Sequence, residues 1–183
     1  MALLIPKNFE LKNSFEVTIR SYRPGDEATS QIFTRLVAKE SQNTLKYEGM
    51  PDISLERLTA LFNEYAVHPV NLFMGVFLGE EIIASLRFMQ KRSDHPWIKH
   101  IGSFGMAVKE QYWGQGIGSR LLQAMESHAR TTEISRIEAE VRASNESGIH
   151  LYQKNAFKIE GRREKAAFID GKFEDEFYIA KCL

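Results

Sequence analysis

The chain has 183 residues, 43% of them hydrophobic, which suits one compact domain over residues 1–183 with an irregular N-terminal arm at residues 1–14. Its 24 basic and 24 acidic residues cancel, and no apolar run approaches the roughly 20 residues of a membrane helix, so neither a nucleic acid nor a membrane is expected as a partner. The single cysteine, Cys182, cannot form an internal disulfide, which favours a cytoplasmic protein.

The first half of the chain predicts a strand, two helices and a strand hairpin. Alternating apolar residues in FEVTIRSYR indicate the strand, and a helix follows from Asp26 to about Glu40. Ser54 is placed to cap the second helix. In NLFMGVFLGEEIIASLRFM, two apolar runs meet at Gly79-Glu80, a glycine-first turn that predicts a β-hairpin.

The second half predicts four strands and two helices. A strand in KHIGSFGMAV precedes a helix from about Gly116 to Arg130, and RIEAEV alternates as the next strand. Asn145 caps a short helix that runs through Tyr152 to Lys154. The closing strands, in AFKIEG and FEDEFYIAKCL, are joined at Asp170-Gly171, a strong hairpin signal. The predicted order is therefore β, α, α, β, β, β, α, β, α, β, β.

Three glycines, Gly114, Gly116 and Gly118, stand where the KHIGSFGMAV strand passes into the following helix. A glycine has no Cβ, so a ligand can approach its backbone closely, and the first N–H groups of a helix have no partner within it. Together with the positive end of the helix dipole, this arrangement predicts a site for a phosphate or pyrophosphate. A tight turn without a ligand would use the same residues, so both interpretations stay open at this point.

Two other phosphate-binding loops fit less well. A Walker loop needs Lys-Ser or Lys-Thr after its last glycine, whereas Gly118 is followed by Ser119-Arg120. A dinucleotide fingerprint needs a third glycine where Ser119 stands, although Glu138 mimics its ribose-binding acid. A nucleotide-dependent enzyme on a dinucleotide-binding fold is therefore the least favoured alternative.

The segment from Ser103 to Phe157 resembles the GCN5-related N-acetyltransferase (GNAT) family, and the resemblance covers nearly the whole chain in element order. It rests on SFGMAVKEQYWGQGIGSRLL, RIEAEV and NESGIHLYQKNAF, the last of which is similar to the family's N…LY.K.GF segment. The resemblance implies an α/β GNAT fold: a mixed sheet of about six to seven strands, about four flanking helices, and splayed central strands that hold CoA. The tail of the chain further resembles bacterial members that acetylate amino acids, polyamines or protein N-termini.

The resemblance also implies direct transfer of an acetyl group from acetyl-CoA, the co-substrate, to an amine, without an acyl-enzyme. Backbone N–H groups around Met106 to Val108 would polarise the thioester carbonyl, and those from about Trp113 to Ser119 would bind the pyrophosphate. The implied cofactor-binding residues are Met106, Ala107, Val108, Trp113, Gly114, Gln115, Gly116, Ile117, Gly118, Ser119, Asn145 and Tyr152.

Two positions depart from the family pattern. Trp113 stands where the family expects Arg or Gln if the loop is framed on Gly116 and Gly118, so its side-chain role differs while the backbone role is kept. Ala156 precedes Phe157 where the family usually has glycine, the residue that ends a helix most readily.

The resemblance identifies Tyr152 as the catalytic residue, a general acid that protonates the departing thiolate. Spacing alone allows Tyr152 to be a packing residue instead. Glu140 is the candidate general base, ahead of Glu138, because it lies nearer the expected acetyl site on the same strand; a solvated or ion-paired role is the alternative for both.

The acceptor is expected to be an amine of a small molecule or peptide. Acidic residues in the segments expected to form its pocket favour a cationic amine: Glu48, Asp52, Glu174 and Asp175. The five histidines have no metal-binding spacing, so no metal is expected. The alternative function is a catalytically silent CoA-binding module, and an edge strand at either terminus could form a homodimer.

Overall fold

A computed structural model describes residues 4–183 of the chain. Within these residues, eight strands form one mixed sheet and four α-helices flank it. The strands are β1 (Lys7–Glu10), β2 (Glu16–Ser21), β3 (Leu72–Leu78), β4 (Glu81–Gln90), β5 (Ile101–Val108), β6 (Arg136–Arg142), β7 (Lys158–Ile169) and β8 (Lys172–Cys182). The helices are α1 (Glu27–Glu40), α2 (Leu55–Val67), α3 (Ile117–Ala129) and α4 (Glu146–Lys154), and a short 3-10 helix covers Glu110–Tyr112.

The strands lie in the order β1-β2-β3-β4-β5-β6-β8-β7. Adjacent strands are antiparallel except for β5 and β6, which are parallel. The parallel pair is joined by helix α3, as a parallel connection requires. The mixed α/β fold expected from the sequence is confirmed, with one or two more strands than expected.

Each face of the sheet packs against its own pair of helices. Residues of α3 such as Leu121 and Met125 are fully buried against one face, together with partly buried residues of α4. On the other face, Phe33 of α1 and Phe62 of α2 pack with Tyr22. Each large apolar side chain buried in this way contributes about 1.5–3 kcal/mol, so the helices hold the sheet from both sides.

The extra strand is β1, which lies within the expected N-terminal arm. Phe9 is its one large apolar residue, so the hydrophobic alternation that reveals most strands is missing. Backbone pairing holds it instead, since Lys7–Glu10 pairs antiparallel with β2. The first three residues of the arm lie outside the described residues.

The predicted hairpin turns are confirmed by their backbone angles. Gly79 has a φ of 59° between β3 and β4, while Asp170 and Gly171 have φ values of 48° and 79° between β7 and β8. Positive φ at both central residues is the requirement of a type I′ turn, which explains the Asp-Gly pair. No helix among residues 4–183 is long and apolar enough to cross a membrane.

Candidate active site

The sheet opens between its two parallel strands. Strands β5 and β6 pair at three positions, the last of which is Ser103 with Glu138. Beyond that point each strand continues without pairing to the other, although β5 stays paired with β4 as far as Val108. The unpaired halves of β5 and β6 therefore border a gap in the middle of the sheet.

Backbone N–H groups of β5 point into this gap. Lys91 N–H donates to Ile101 O at 2.9 Å, and Lys109 N–H donates to Ile83 O at 3.0 Å, which sets the alternation of the β4–β5 ladder. By that alternation, Met106 and Val108 direct their N–H groups away from β4 and toward the gap. Two donors thus lie where a polarised carbonyl could be bound.

Ala107 was expected to contribute its N–H group to the site, but that group is used within the sheet. The same alternation places its backbone in the ladder with Ser85 of β4, so the donor is already used. Its side chain instead lines the cavity described below. The sequence alone does not show which N–H groups of β5 bond to β4, because that depends on the register of the two strands.

The glycine loop follows β5 and leads directly into α3. Gly114 and Gly116 have φ values of 73° and 85°, and a Cβ at either would face open space. Glycine is therefore required by the backbone turn, and it leaves the loop open to a ligand. The first intrahelical bond of α3 runs from Arg120 N–H to Gly116 O, so the N–H groups of residues 117–119 have no acceptor within the helix.

Positive charge and an unsatisfied side chain also mark this loop. Lys12 donates from its Nζ atom to Gly114 O at 2.8 Å, which brings a cation from the N-terminal arm to the loop. The buried Oε1 atom of Gln115 has no hydrogen-bond partner among the described residues. Both features fit a loop that is completed by an anionic ligand with further hydrogen-bonding groups.

Gly118 has a different reason for being glycine. A Cβ at Gly118 would lie 2.6 Å from Leu151 Cδ2 and 3.4 Å from Met106 Cε. The missing side chain lets α3 pack closely on α4 and β5, so Gly118 is a packing residue as well as a contributor of a free N–H group.

Trp113 is not free to bind a ligand through its backbone. Its N–H group donates to Glu110 O at 3.0 Å, and its indole Nε1 donates to Val108 O at 2.8 Å. The free N–H groups of the loop therefore begin after Trp113, and the indole fixes the end of β5 against the loop.

Helix α4 carries Tyr152 to the gap. Asn145 caps this helix as predicted, because its Oδ1 accepts a hydrogen bond from Gly148 N–H at 2.9 Å. The ring of Tyr152 lies edge-on to Phe104 and Phe157, with centroid distances of 5.7 and 6.0 Å. These contacts hold the ring at the border of the gap and of the cavity beside it.

Burial raises the pKa of the Tyr152 hydroxyl to about 12. The hydroxyl therefore stays protonated at neutral pH and can donate a hydrogen bond. No side chain among the described residues accepts a hydrogen bond from it, so it is available to a ligand in the gap.

A cavity of about 1040 Å³ lies on the side of the sheet that faces α1 and α2. Its walls are α1, the segment 43–53 and the polar side chains of four strands. Strand β5 brings the gap into contact with the cavity through residues 104–107. A ligand held in the gap and a second molecule held in the cavity would therefore meet at β5.

The candidate base Glu140 lines this cavity and is half exposed, with Arg163 Nη1 at 4.0 Å. Glu138 is committed elsewhere, because it forms ion pairs with Lys91 and Arg136 at 2.7 and 2.6 Å. Although burial acts to raise it, these partners hold the pKa of Glu138 below its ordinary value. Of the two acids, Glu140 is the better placed to accept a proton.

The four acidic residues expected to attract a cationic amine are already engaged. Asp52 pairs with Arg35, Glu48 lies 3.4 Å from Lys39, and Asp175 pairs with Arg162. Glu174 accepts a hydrogen bond from Ser144 at 2.8 Å. Cationic partners offset the charge of Asp52, Glu48 and Asp175, whereas Ser144 is neutral and leaves the charge of Glu174 in place.

Sequence reasoning missed a group of charged residues that line the cavity from β4, β6, β7 and β8: Arg87, Arg142, Arg163 and Glu176. Glu176 lies 3.7 Å from Arg142 and 3.4 Å from Arg163. The alternation of their strands was the available signal, since each falls on the polar face, but only the sheet order brings them together. Among residues 4–183, no group of three or more His, Cys, Asp or Glu side chains is arranged to hold a metal ion.

Comparison with known proteins identifies the family of the chain. Residues 38–157 match the model of the acetyltransferase (GNAT) family. The chain is 32% identical over 87 residues to the L-amino acid N-acetyltransferase AaaT of Escherichia coli (strain K12). That match covers 47% of this chain and spans only 54% of the curated relative, little more than half of its length.

Solved structures share the fold. An acetyltransferase of the GNAT family from Streptococcus pneumoniae superposes with a TM-score of 0.86 at 27% identity, over 91% of this chain and 99% of that one. The structure of yncA from Salmonella typhimurium, solved with its cofactor acetyl-CoA, gives a TM-score of 0.78 at 14% identity, over 91% of this chain and 94% of that one.

Proposed function

The chain belongs to the GNAT family of acetyltransferases, and from this premise we propose that it transfers the acetyl group of acetyl-CoA to an amine of a small molecule or peptide. One observation carries the proposal. The gap between β5 and β6 has the open glycine loop at the end of β5, Tyr152 at its border and a large cavity beside it. A donor and an acceptor could therefore meet from the two sides of the sheet.

The residues present fit acetyl-CoA. Gly114 and Gly116 leave room beside the loop, and the free N–H groups at the start of α3 suit a pyrophosphate. The solved relative from Salmonella typhimurium holds acetyl-CoA on the same fold, which supports this assignment. We assign the pyrophosphate to the N–H groups of residues 114–119, with Lys12 nearby as a cation.

When bound, acetyl-CoA would supply the acetyl group as a thioester. In this proposal, the N–H groups of Met106 and Val108 polarise the carbonyl, Tyr152 donates a hydrogen bond to the departing sulfur, and Glu140 accepts a proton from the amine. Donors that are fixed by a β-ladder need no reorganisation when charge develops, so they favour the transition state over the ground state.

The proposal also includes the setting of the enzyme. We place the chain in the cytoplasm as one domain. The C-terminal strand β8 lies between β6 and β7 and is not the edge strand expected at that terminus, so we assign a homodimer, where one forms, to β1 or β7. Limited proteolysis tests whether the chain is one domain, cell fractionation tests its location, and sedimentation tests the dimer.

A screen of acceptors tests the proposed function. Purified protein is mixed with acetyl-CoA and with amino acids, polyamines or N-terminal peptides, and release of the free thiol of CoA is measured. Acetylation of at least one amine is expected, together with calorimetric binding of CoA. Binding of CoA without acetylation of any amine would indicate a silent CoA-binding module, and absence of CoA binding would overturn the proposal altogether.

A further inference from the structure

Three residues form a row across the sheet on the face that lines the cavity. Arg87 of β4 is paired with Gly105 of β5. Glu140 of β6 corresponds to Gly105 across the gap, since each lies two residues beyond the last pair, Ser103 with Glu138. In-register neighbours point to the same face, so a cation and a carboxylate flank a glycine.

The space between the two charges is open. A Cβ at Gly105 would have no atom within 4 Å, and Gly105 has no positive φ that would require glycine for conformational reasons. Strands lie about 4.8 Å apart, so the Cα atoms of Arg87 and Glu140 are at least roughly 10 Å apart. A small molecule that reaches both side chains fits this distance.

Arg87 is held in place and yet keeps hydrogen-bonding capacity. Its Nε atom donates to the Tyr65 hydroxyl at 2.6 Å, and its guanidinium carbon lies 5.3 Å from the centre of the Tyr65 ring. Tyr65 is buried in α2, so it orients the guanidinium. Within the described residues, no carboxylate forms an ion pair with Arg87, and its two terminal nitrogens donate no side-chain hydrogen bond.

All but one of the other cations of the cavity differ from Arg87 in having a carboxylate within 4 Å, although the buried Nη1 atom of Arg142 has no hydrogen-bond partner among the described residues. Four of them are paired with carboxylates: Arg35, Lys39, Arg142 and Arg163. Lys46 has no such ion pair among residues 4–183, but it lies on the segment that forms the opposite wall. The cavity therefore presents uncompensated positive charge beside β5, which a cationic acceptor would not favour.

We propose that the acceptor is a free α-amino acid, whose carboxylate binds Arg87 and whose amine faces Glu140. This inference rests on the proposed function and defines its substrate class. A planar guanidinium matches a carboxylate in a two-bond geometry, and Tyr65 pre-orients it. A polyamine has no group for Arg87, and a peptide N-terminus has no carboxylate next to its amine.

The reaction balances with this acceptor. The amine nitrogen forms a bond to the acetyl carbonyl carbon while the bond between that carbon and sulfur breaks. The ammonium group loses two protons in total, of which one ends on sulfur and the other passes to solvent by way of Glu140. The products are an N-acetylamino acid and CoA.

Paired substrates provide the test. Free L-amino acids and the same amino acids as carboxamides are compared in kcat/KM, since the amide keeps the amine and removes the negative charge. The wild-type protein is expected to prefer the free acid by roughly 10-fold to 100-fold, the effect of a hydrogen-bonded charge pair. In Arg87→Gln, which keeps a donor for the Tyr65 hydroxyl, the preference should disappear.

Arg92→Gln is the matched control, because Arg92 is exposed, pairs with Asp94 and does not line the cavity. It should keep the preference, and both variants should bind CoA like the wild type. Three outcomes would overturn the inference while leaving the CoA site intact. The wild type could use acid and amide equally, or the preference could survive in Arg87→Gln. The third outcome is that a protein that binds CoA acetylates neither substrate. If CoA itself does not bind, both the proposed function and this inference are wrong.

Discussion

The hydroxyl of Tyr152 is a hydrogen-bond donor at every pH at which the protein would act, because burial raises its pKa to about 12. An alkyl thiol has a pKa of about 8.5, well below that of Tyr152, so complete transfer of the tyrosine proton to a thiolate is uphill. Tyr152 is therefore not expected to transfer its proton fully to sulfur, as a general acid would. We assign Tyr152 a hydrogen bond that strengthens as charge develops on sulfur, with solvent able to supply the final proton.

Replacing Tyr152 with phenylalanine tests that role. Tyr152→Phe keeps the ring contacts with Phe104 and Phe157 and removes only the donor. We expect kcat to fall by roughly 10²-fold, because a single donor to developing charge contributes on this scale. CoA affinity, measured by calorimetry, should hardly change. An unchanged kcat in a folded variant, under conditions where chemistry limits the rate, would make Tyr152 a packing residue.

The dependence of kcat on pH gives a second readout of the same residue. The pKa of Tyr152 is raised in the folded protein, so the neutral hydroxyl stabilises the fold below pH 10, and that contribution is lost as the pH rises from about 10 to about 12. We therefore expect no alkaline loss of kcat from Tyr152 below about pH 10. A loss near pH 8 that is absent in Tyr152→Phe would contradict the raised pKa.

Ala156 occupies a position that glycine would occupy at lower energy. Its φ is 66°, and the bonds from Ala156 N–H to Gln153 O and from Phe157 N–H to Tyr152 O form a Schellman motif at the end of α4. A left-handed alanine costs about 1–2 kcal/mol, of which greater chain entropy would offset part in a glycine variant. Ala156→Gly should raise the free energy of unfolding by about 0.5–1 kcal/mol in urea titration, and a decrease would contradict this account.

At the scale of elements, the turn from β5 into α3 combines two requirements in one short segment. Gly116 caps the helix with a φ of 85°, and the N–H groups of the three residues that follow it have no acceptor within the helix. A side chain with a negative charge at this position would strain the cap and repel a phosphate at the helix N-terminus.

We therefore expect Gly116→Glu to weaken CoA binding at least 10-fold in calorimetry. Gly25→Glu is the control, because Gly25 also has a positive φ, 105°, with open space around it and lies outside the loop. The control should lose stability to a similar degree and keep its CoA affinity. Equal CoA affinity of the two variants would show that the pyrophosphate does not bind at this loop.

Elements determined by neighbouring residues were predictable from the sequence, and those determined by distant contacts were not. Ser54 and Asn145 cap their helices as expected, since a cap depends on residues within one turn. Asp26 begins α1 without capping it, because Arg20 of strand β2 binds its carboxylate at 2.7 Å. Likewise, nothing in the sequence indicated an ionic partner for Asp52, whereas the fold places Arg35 beside it.

The same distinction applies to the candidate site. Gly114, Gly116 and Tyr152 belong to local motifs and could be named from the sequence. The position of Arg87 opposite Glu140 depends on the strand order and register, which no local pattern determines. The backbone donors of Met106 and Val108 could be separated from Ala107 only by the hydrogen-bond alternation of the ladder.

At the scale of the whole molecule, a ligand in the gap would contact both parts of the sheet and should stabilise the fold. At a CoA concentration 100 times its Kd, linkage predicts about 2.7 kcal/mol, or a rise in Tm of roughly 5–10 °C for a chain of this size. Differential scanning calorimetry with and without CoA measures this shift. A nicotinamide dinucleotide should give no comparable rise, and a larger rise with it than with CoA would favour a dinucleotide-binding protein.

The gap divides the sheet into an N-terminal set of strands, β1 to β5, and a C-terminal set, β6 to β8. All of β1 to β5 precede the exposed turn at residues 130–133, and β6 to β8 follow it. The chain could therefore be divided at that turn into two polypeptides, each with its own set of paired strands, which share the hydrophobic core on the α3 face. Co-expression of residues 1–131 and 132–183 should restore a complex whose assembly CoA promotes, so the protein could be converted into a split reporter of its own ligand.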